Sequence, residues 1–390
     1  LLEIAETSVG EMSVIHSHTD KDVSASLRFA FLTELYYPSV GGQEVFFQEL
    51  AEAMVRRGHS VDVFCIGHEA GLAANEVLNG VNVYRHPNSG RYKRPLLPAL
   101  RRDWSDIVKY SAWVRRLGLA QQHDFYLINQ WPLLHIKTLP RQARARSGIH
   151  WCEVREGWLL RAAQARLPRM VGSNFAISQA VAAAIGDQSG QPSLVLPSGI
   201  ELIRYRPAGR SKRSGLLYVG RLAPHKNLRL LIDAFELAVP RGFGGDLVIA
   251  GDGPARSEIE TYACRSPNAP RIHVLGSVDE AHKIELLSQA AVLGMPSRRE
   301  GFPRVITEAM ASGLPVVTAR FPENGAKDVV AQYGAGVVCG TEPAEFAEAL
   351  LAAEADWDAL SQAGLAGAQS LDWSGIARVL EARVQEIAGR

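Results

Sequence analysis

The amino-acid sequence predicts an α/β protein built from two doubly wound, parallel-sheet domains in tandem. Three observations carry that prediction. The chain has 390 residues, more than one ordinary hydrophobic core accommodates, and suits two domains of just under ~200 residues. Short apolar runs alternate with helical patterns in two separate series, as parallel sheets with crossover helices require. The segment Ser297 to Val317, S-R-R-E-G-F-P-R-V-I-T-E-A-M-A-S-G-L-P-V-V, condenses that unit: a turn after the strand Ala291 to Met295, a short helix stopped at Gly313, and a second strand.

In chain order, residues 1–27 are polar and aperiodic and read as an extension ahead of the fold. His16 and His18 there lack further ligands and read as solvated tail. The first buried-strand run is R-F-A-F-L-T-E-L from Arg28. It leads through a turn holding Gly41 and Gly42 into a helix whose Phe47, Leu50, Ala51 and Met54 form one apolar stripe. That helix ends at Arg56, Arg57 and Gly58, and Val61 to Ile66 form the next strand. Strand, glycine turn, helix, strand is a Rossmann-type opening, but without G-x-G-x-x-G a dinucleotide ligand is disfavoured. Strand-like runs recur at Val81 to Arg85, Phe125 to Asn129, Ile149 to Val154, Asn174 to Ser178 and Ser193 to Leu196. The second series starts at Gly215 and continues through Leu247 to Ala250, His273 to Leu275, Ala291 to Met295 and Pro315 to Thr318. The polar stretch Pro197 to Ser214 between them reads as the linker. The expected division is 28–197 and 198–372, with an amphipathic last helix from Trp373.

Lys plus Arg is 42 and Asp plus Glu 41, so nothing global marks a nucleic-acid partner. The local balance differs: Arg91 to Arg169 holds 16 cations against 5 carboxylates, a net of +11. Cys65, Cys152, Cys264 and Cys339 lie far apart with no C-x-x-C, as expected of reduced thiols in a cytoplasmic protein. There is no apolar run of membrane-spanning length, and the start L-L-E-I-A-E-T lacks the basic and apolar regions of a signal peptide.

Chemistry concentrates in a few turns. Glu300 sits in the turn of the Ser297 to Val317 unit and Glu308 further along its helix, so the two carboxylates reach different hydroxyls of one extended ligand. The turn lies at the carboxyl edge of a parallel sheet, where open α/β folds bind ligands. Backbone N–H groups around Arg304 and Val305 then face an anion at the positive helix end. Gly220, Arg221 and Lys226 lie in V-G-R-L-A-P-H-K-N-L between a strand and a helix. Two cations so placed can clamp a diphosphate, Arg as a fork and Lys as a mobile charge. Gly41 and Gly42, lacking Cβ atoms, allow close approach of backbone to a phosphate or an acceptor.

These motifs together resemble the E-G-F-P…E-A-M-A-x-G-x-P-V-V signature of the retaining glycosyltransferases of family 4, which have the GT-B fold: two Rossmann-like domains facing a central cleft. The resemblance implies that Glu300 holds the donor sugar and Glu308 the ribose, with Gly301, Phe302, Pro303, Arg304 and Val305 lining the donor site. Arg221 and Lys226 match the family's G-R-L-x-x-x-K-N/G and would neutralise the leaving diphosphate. Gly41 and Gly42 match its G-G loop, and Gly251 in L-V-I-A-G-D-G-P would line the nucleotide pocket. V-L-P-S-G-I-E-L (Val195 to Leu202) resembles its hinge. By the same resemblance the last helix crosses back onto the first domain, the donor is a nucleotide diphosphate sugar of UDP or GDP type, and neither metal nor other cofactor is needed. The expected chemistry is front-side attack assisted by the leaving diphosphate. Runners-up are a sugar-nucleotide epimerase, a glycogen-type synthase, or a nucleotide-sugar-binding subunit with weak catalysis.

One departure stands out. In I-H-W-C-E-V-R (Ile149 to Arg155) the family commonly presents a His followed by an acid at the acceptor side. Aligning Glu153 with the acid puts Cys152 where the His belongs. His150 is two positions earlier on the same strand face, so either His150 supplies the polar contact or the site accepts a thiol. The basic stretch Arg91 to Leu117 interleaves Leu96, Leu97, Trp104, Tyr110 and Trp113 with cations. It reads as an interfacial helix for an anionic membrane carrying a lipid-linked acceptor, as an acceptor-site wall for a soluble anionic molecule, or as an ordinary amphipathic helix.

Overall fold

The computed structural model describes residues 26–389 apart from 40, 70, 88–91, 93–102, 119–121, 133–134 and 156. The expected N-terminal extension and the start of the basic stretch, with Leu96 and Leu97, lie outside the described residues. Leu27, assigned to the extension, is buried in the first core.

The first sheet holds β1 (Arg28–Leu32), β2 (Ser60–Gly67), β3 (Asn75–Leu78), β4 (Val81–Pro87), β5 (Phe125–Asn129), β6 (Ser147–Trp151), β7 (Ser173–Ala176) and β8 (Leu194–Val195). Their order is β3-β4-β2-β1-β5-β6-β7-β8. Its helices are α1 (Gly42–Arg56), α2 (Trp104–Arg116), α3 (His135–Thr138), α4 (Arg141–Ala145), α5 (Trp158–Arg166) and α6 (Gln179–Ser189). The second sheet holds β9 (Leu216–Val219), β10 (Leu247–Ala250), β11 (Ile272–Gly276), β12 (Val292–Met295), β13 (Val316–Ala319) and β14 (Gly336–Cys339), in the order β11-β10-β9-β12-β13-β14. With it go α7 (Leu228–Ala238), α8 (Arg256–Cys264), α9 (Glu280–Gln289), α10 (Arg304–Ala311), α11 (Ala326–Tyr333), α12 (Pro343–Ala355), α13 (Trp357–Ser370) and α14 (Trp373–Ala388).

The central strands are buried along their length, which is why they read as continuous apolar runs rather than alternating ones. Each sheet changes direction once, between β1 and β5 and between β9 and β12. Crossover helices leave these points from opposite faces, so a crevice opens beyond the strand ends. The turns after β9 and β12 are the Arg221–Lys226 and Glu300 motifs. Those after β1 and β5 hold Gly41, Gly42 and Gln130.

Several expectations are corrected. β6 ends at Trp151, so Cys152 and Glu153 lie in the loop beyond it. β3 pairs antiparallel with β4 through a turn with Asn79 and Gly80 at φ 49° and 82°. Asn-Gly is the type I′ hairpin signal, and it stood unread in the sequence. β14, a half-buried edge strand, also escaped notice. Most of the polar stretch 201–214 is exposed or half-buried, as a linker would be, but Arg213 in it is 4% exposed. Its guanidinium donates to the carbonyls of Ala208, Leu287, Ala290 and Ser312. Burial, then neighbouring Arg210, lowers its pKa to about 10.

α14 returns to the first core through Trp373, Ile376, Ala377, Leu380 and Val384. Its buried Glu381 pairs with Arg57 at 2.5 Å. The two crossings are stitched together by the Ile200 N–H donating to the Leu371 carbonyl at 2.9 Å. Among the described residues, no helix is long and apolar enough to cross a membrane.

Candidate active site

Between the two sheet edges lies a cavity of about 810 Å³. Gly41, Gly42, Gly220, Arg221, Lys226, Glu300, Phe302, Pro303, Arg304, Val305 and Glu308 all line it. These residues come from three separate motifs, and both domains contribute. Phe302 packs against both hydrophobic cores, at the seam between them.

The donor-side turns are held by backbone contacts. The Arg298 N–H donates to the His225 carbonyl at 2.8 Å, tying the Lys226 turn to the Glu300 turn. Glu300 donates from its own N–H to the Glu323 carbonyl at 3.0 Å and accepts at its carbonyl from the Gly325 N–H at 2.9 Å. Asn324, fully buried, donates to Thr318 Oγ1 and the Ala319 carbonyl. The Glu323-Asn324-Gly325 loop therefore sets the position of Glu300, a role no sequence motif announced. Gly251 lies behind the cavity wall: a Cβ there would collide with the Gly220 carbonyl. Its effect on the site runs through Gly220.

The electrostatics are nearly balanced. Five cations line the cavity with six carboxylates. Lys226 Nζ meets Glu300 Oε1 at 2.5 Å. Lys283 Nζ meets Glu308 Oε1 at 2.9 Å and Glu280 Oε2 at 3.0 Å. Arg204 pairs with Glu201 at 2.5 Å. Arg304 reaches across the cleft to Glu49 of α1 at 3.0 Å. Burial opposes the Arg304 charge, yet Glu49 holds its pKa above the ordinary value. Glu49 also accepts from Trp373 Nε1 at 3.0 Å, so one carboxylate joins α1, α10 and α14. Arg221 is exposed on the cavity wall. No side chain caps α10, whose first residues Arg304 and Val305 face the cavity. An uncapped, positive helix end beside two cations suits a bound anion.

The residues expected at the acceptor side are placed differently. His150 does not line the cavity; it is fully buried and stacked on Phe46 at 4.0 Å. Its Nε2 lies 2.9 Å from the Leu196 carbonyl. That oxygen only accepts, so Nε2 carries the proton and Nδ1 is left to accept from the Cys152 thiol at 3.3 Å. Burial lowers the His150 pKa to about 4 and pushes the Cys152 thiol up. Sharing a strand face thus brings the two residues together, but with the imidazole turned towards the interdomain crossing. Gln130 fixes the loop, its Oε1 accepting from the N–H groups of Cys152 and Glu153 at 2.8 and 3.1 Å. The Glu153 carboxylate turns outward to Arg155 at 2.5 Å. The Cys152 carbonyl oxygen sits 3.5 Å from the Cβ position of Gly301, where this loop meets the donor turn.

Glu49, Glu201, Arg204, Tyr205, Glu280 and Lys283 also line the cavity, and sequence reasoning missed them. Lys283 had one available signal: three residues after Glu280 at a helix start, it shares that residue's face. Among the described residues, no cluster of three His, Cys, Asp or Glu has a metal-binding arrangement.

A parallel-sheet pair facing one cleft, with the motif turns at both switch points, defines the GT-B class. The chain belongs to the GT-B glycosyltransferases of group 1 and family 4. The model described as "Glycosyl transferases group 1" matches residues 201–369, and "Glycosyltransferase Family 4" matches residues 40–204. Similar curated proteins include a GDP-mannose:cellobiosyl-diphosphopolyprenol alpha-mannosyltransferase of Komagataeibacter xylinus, 26% identical over 94% of both chains. A D-inositol 3-phosphate glycosyltransferase of Geodermatophilus obscurus is 26% identical over 85% of this chain and 82% of its own. Among solved structures, sucrose-phosphate synthase of Thermosynechococcus elongatus superposes with a TM-score of 0.72 at 18% identity, covering 93% of this chain and 99% of that one. Anabaena Alr3699/HepE in complex with UDP-glucose gives 0.70 at 20% identity, covering 92% and 100%.

Proposed function

We propose that the protein is a retaining glycosyltransferase that moves a hexose-type sugar from a nucleotide diphosphate sugar to an acceptor hydroxyl. One observation carries this reading: two carboxylates, Glu300 and Glu308, line one cavity together with Arg221, Lys226 and the uncapped α10 N-terminus, the groups that a sugar, a ribose and a diphosphate would need. The Komagataeibacter relative is named for GDP-mannose and the Anabaena structure holds UDP-glucose, which supports a nucleotide-sugar donor.

In the proposed step, the acceptor oxygen bonds to the anomeric carbon on the face from which the diphosphate departs. The electron pair of the broken C–O bond goes to the diphosphate oxygen, which also takes the acceptor proton. Charge collects on that oxygen, so the work falls to Arg221, Lys226 and the N–H groups at Arg304 and Val305. Lys226 turns from Glu300 towards the phosphate, and Glu300 is left to accept hydroxyls of the sugar. Glu308 accepts from the ribose while Lys283 keeps its second oxygen neutralised. No metal enters the reading, so a chelator leaves turnover unchanged; loss of activity restored by a divalent cation overturns that part. The four free thiols support a reducing, cytoplasmic setting.

The test is incubation with UDP-, GDP-, ADP- and TDP-sugars, scoring thermal stabilisation and then the anomeric configuration of the product by NMR. Inverted product ends the retaining assignment. The inward-turned His150 favours a second reading, a nucleotide-sugar-binding subunit. Tight binding with neither transfer nor donor hydrolysis would select it.

A further inference from the structure

Beyond β5 and β6 the first domain carries an aromatic surface that the transfer chemistry does not use. Trp131 follows β5 and lies edge-on to Trp104 at the start of α2, ring centres 5.6 Å apart and planes at 84°. Arg155, from the loop after β6, sits over the same Trp131 ring at 5.2 Å. That loop runs into α5, whose first residues Trp158 and Leu159 are 78% and 62% exposed. One turn beyond Trp104, Val108 is 56% exposed. Leu160, next in α5, lines a small cavity with Trp131 and Arg155, which ties the start of α5 to this group. Single exposed apolar residues are ordinary, whereas exposed Trp104 and Trp158 on two elements that meet at Trp131 mark a contact surface. Its surroundings are cationic: Lys109, Arg115 and Arg116 of α2 and Arg161 and Arg166 of α5 are exposed. The one acid in those two helices, Asp106, is buried.

We propose that this surface docks the protein onto an anionic lipid bilayer. Tryptophan and leucine suit the headgroup boundary, where an amphipathic ring is solvated on one side only, and the flanking cations match an anionic leaflet. Its place in the fold gives the docking a purpose. The β6 loop that feeds Trp158 also sets the Cys152 carbonyl against Gly301, next to Glu300. An acceptor whose lipid tail stays in the bilayer would thus present its hydroxyl beside the donor turn. That last step rests on the glycosyltransferase reading; the docking itself does not. An acidic protein could also recognise tryptophan and arginine, but it would leave bare vesicles unbound.

The test is cosedimentation of the full chain with phosphatidylcholine vesicles, with and without phosphatidylglycerol. Wild type should partition onto the anionic vesicles, less so as salt is raised, and weakly onto the neutral ones. The Trp158→Ser/Leu159→Ser variant should lose about tenfold or more in partition. Lys109→Glu and Arg161→Glu should each lose roughly fivefold on anionic vesicles only. Unchanged unfolding midpoints and nucleoside diphosphate binding show that the variants fold. Absence of wild-type binding, equal partition onto both vesicle types, or variants that bind like wild type would overturn the proposal. Vesicle binding without nucleoside diphosphate binding would leave the docking standing and remove the donor reading.

Discussion

The two sides of the cleft are built on different plans. On the second domain, each donor-side residue sits within a few positions of a strand end: Gly220, Arg221 and Lys226 after β9, and Glu300 to Glu308 after β12. On the first domain, the groups at and behind the cleft wall are set by contacts far apart in sequence. Gln130 holds the Cys152–Glu153 loop, Phe46 holds His150, and Glu49 meets Arg304 and Trp373. Anion binding needs helix ends and cations that one turn can supply. The first-domain side of the cleft has no such local unit and is assembled from tertiary packing.

The sharpest way to break this comparison is to remove donor-side charge. Arg221→Ala and Lys226→Ala should each lower kcat about 10²-fold or more, since each would remove charge stabilisation from the leaving diphosphate. Glu300→Ala should abolish transfer with free nucleotide affinity nearly intact. Losses below about threefold for both cation variants would show that the donor side does not carry the chemistry. Glu308→Ala should weaken nucleoside diphosphate binding itself about tenfold, a typical loss for a buried hydrogen-bonding charge. Calorimetric titration separates this from the Glu300→Ala pattern, and matching behaviour in the two variants would dissolve the division between ribose and sugar contacts.

The second-domain side of the cavity was legible because its spacing is local: Glu300, Glu308, Arg221 and Lys226 all line one cavity. Its supports were not, because Asn324 and Lys283 act through the fold rather than through a motif. On the first domain, alternation along β6 correctly put His150 and Cys152 on one face. It could not say that Phe46 and Leu196 would occupy the space before the imidazole. Likewise Pro197 to Ser214 read as linker because its charges look solvated, whereas Arg213 finds four carbonyls in the second core.

A middle-sized effect belongs to the contact joining the halves. Glu49→Ala would leave Arg304 and Trp373 Nε1 without their shared acceptor in a largely enclosed site, at a cost of about 2–3 kcal/mol. Thermal unfolding should register this as a lower midpoint, with Glu49→Gln intermediate because its amide oxygen still accepts. An unchanged midpoint in Glu49→Ala would mean that the halves dock without this carboxylate.

The finest distinction concerns His150. A catalytic group facing the acceptor would lose turnover on substitution, whereas a neutral, packed imidazole would mainly lose stability. His150→Phe keeps a flat ring against Phe46 and should change kcat by less than about threefold, a loss too small for a transition-state contact. Its pH signature is more telling. In the folded protein the His150 pKa is lowered to about 4 by burial, below the ordinary value of 6.5. As pH falls from 6.5 towards 4, the unfolded chain takes up the proton and the folded chain does not. The stability present above 6.5 is therefore lost progressively through that window, by about 3 kcal/mol at its lower end. His150→Phe should be the less stable protein at neutral pH and close that gap on acidification, as denaturant titrations at several pH values would show. Parallel stability curves for the two proteins, or a large kcat loss with the curves unchanged, would return His150 to the acceptor side and make the two halves of the cleft alike.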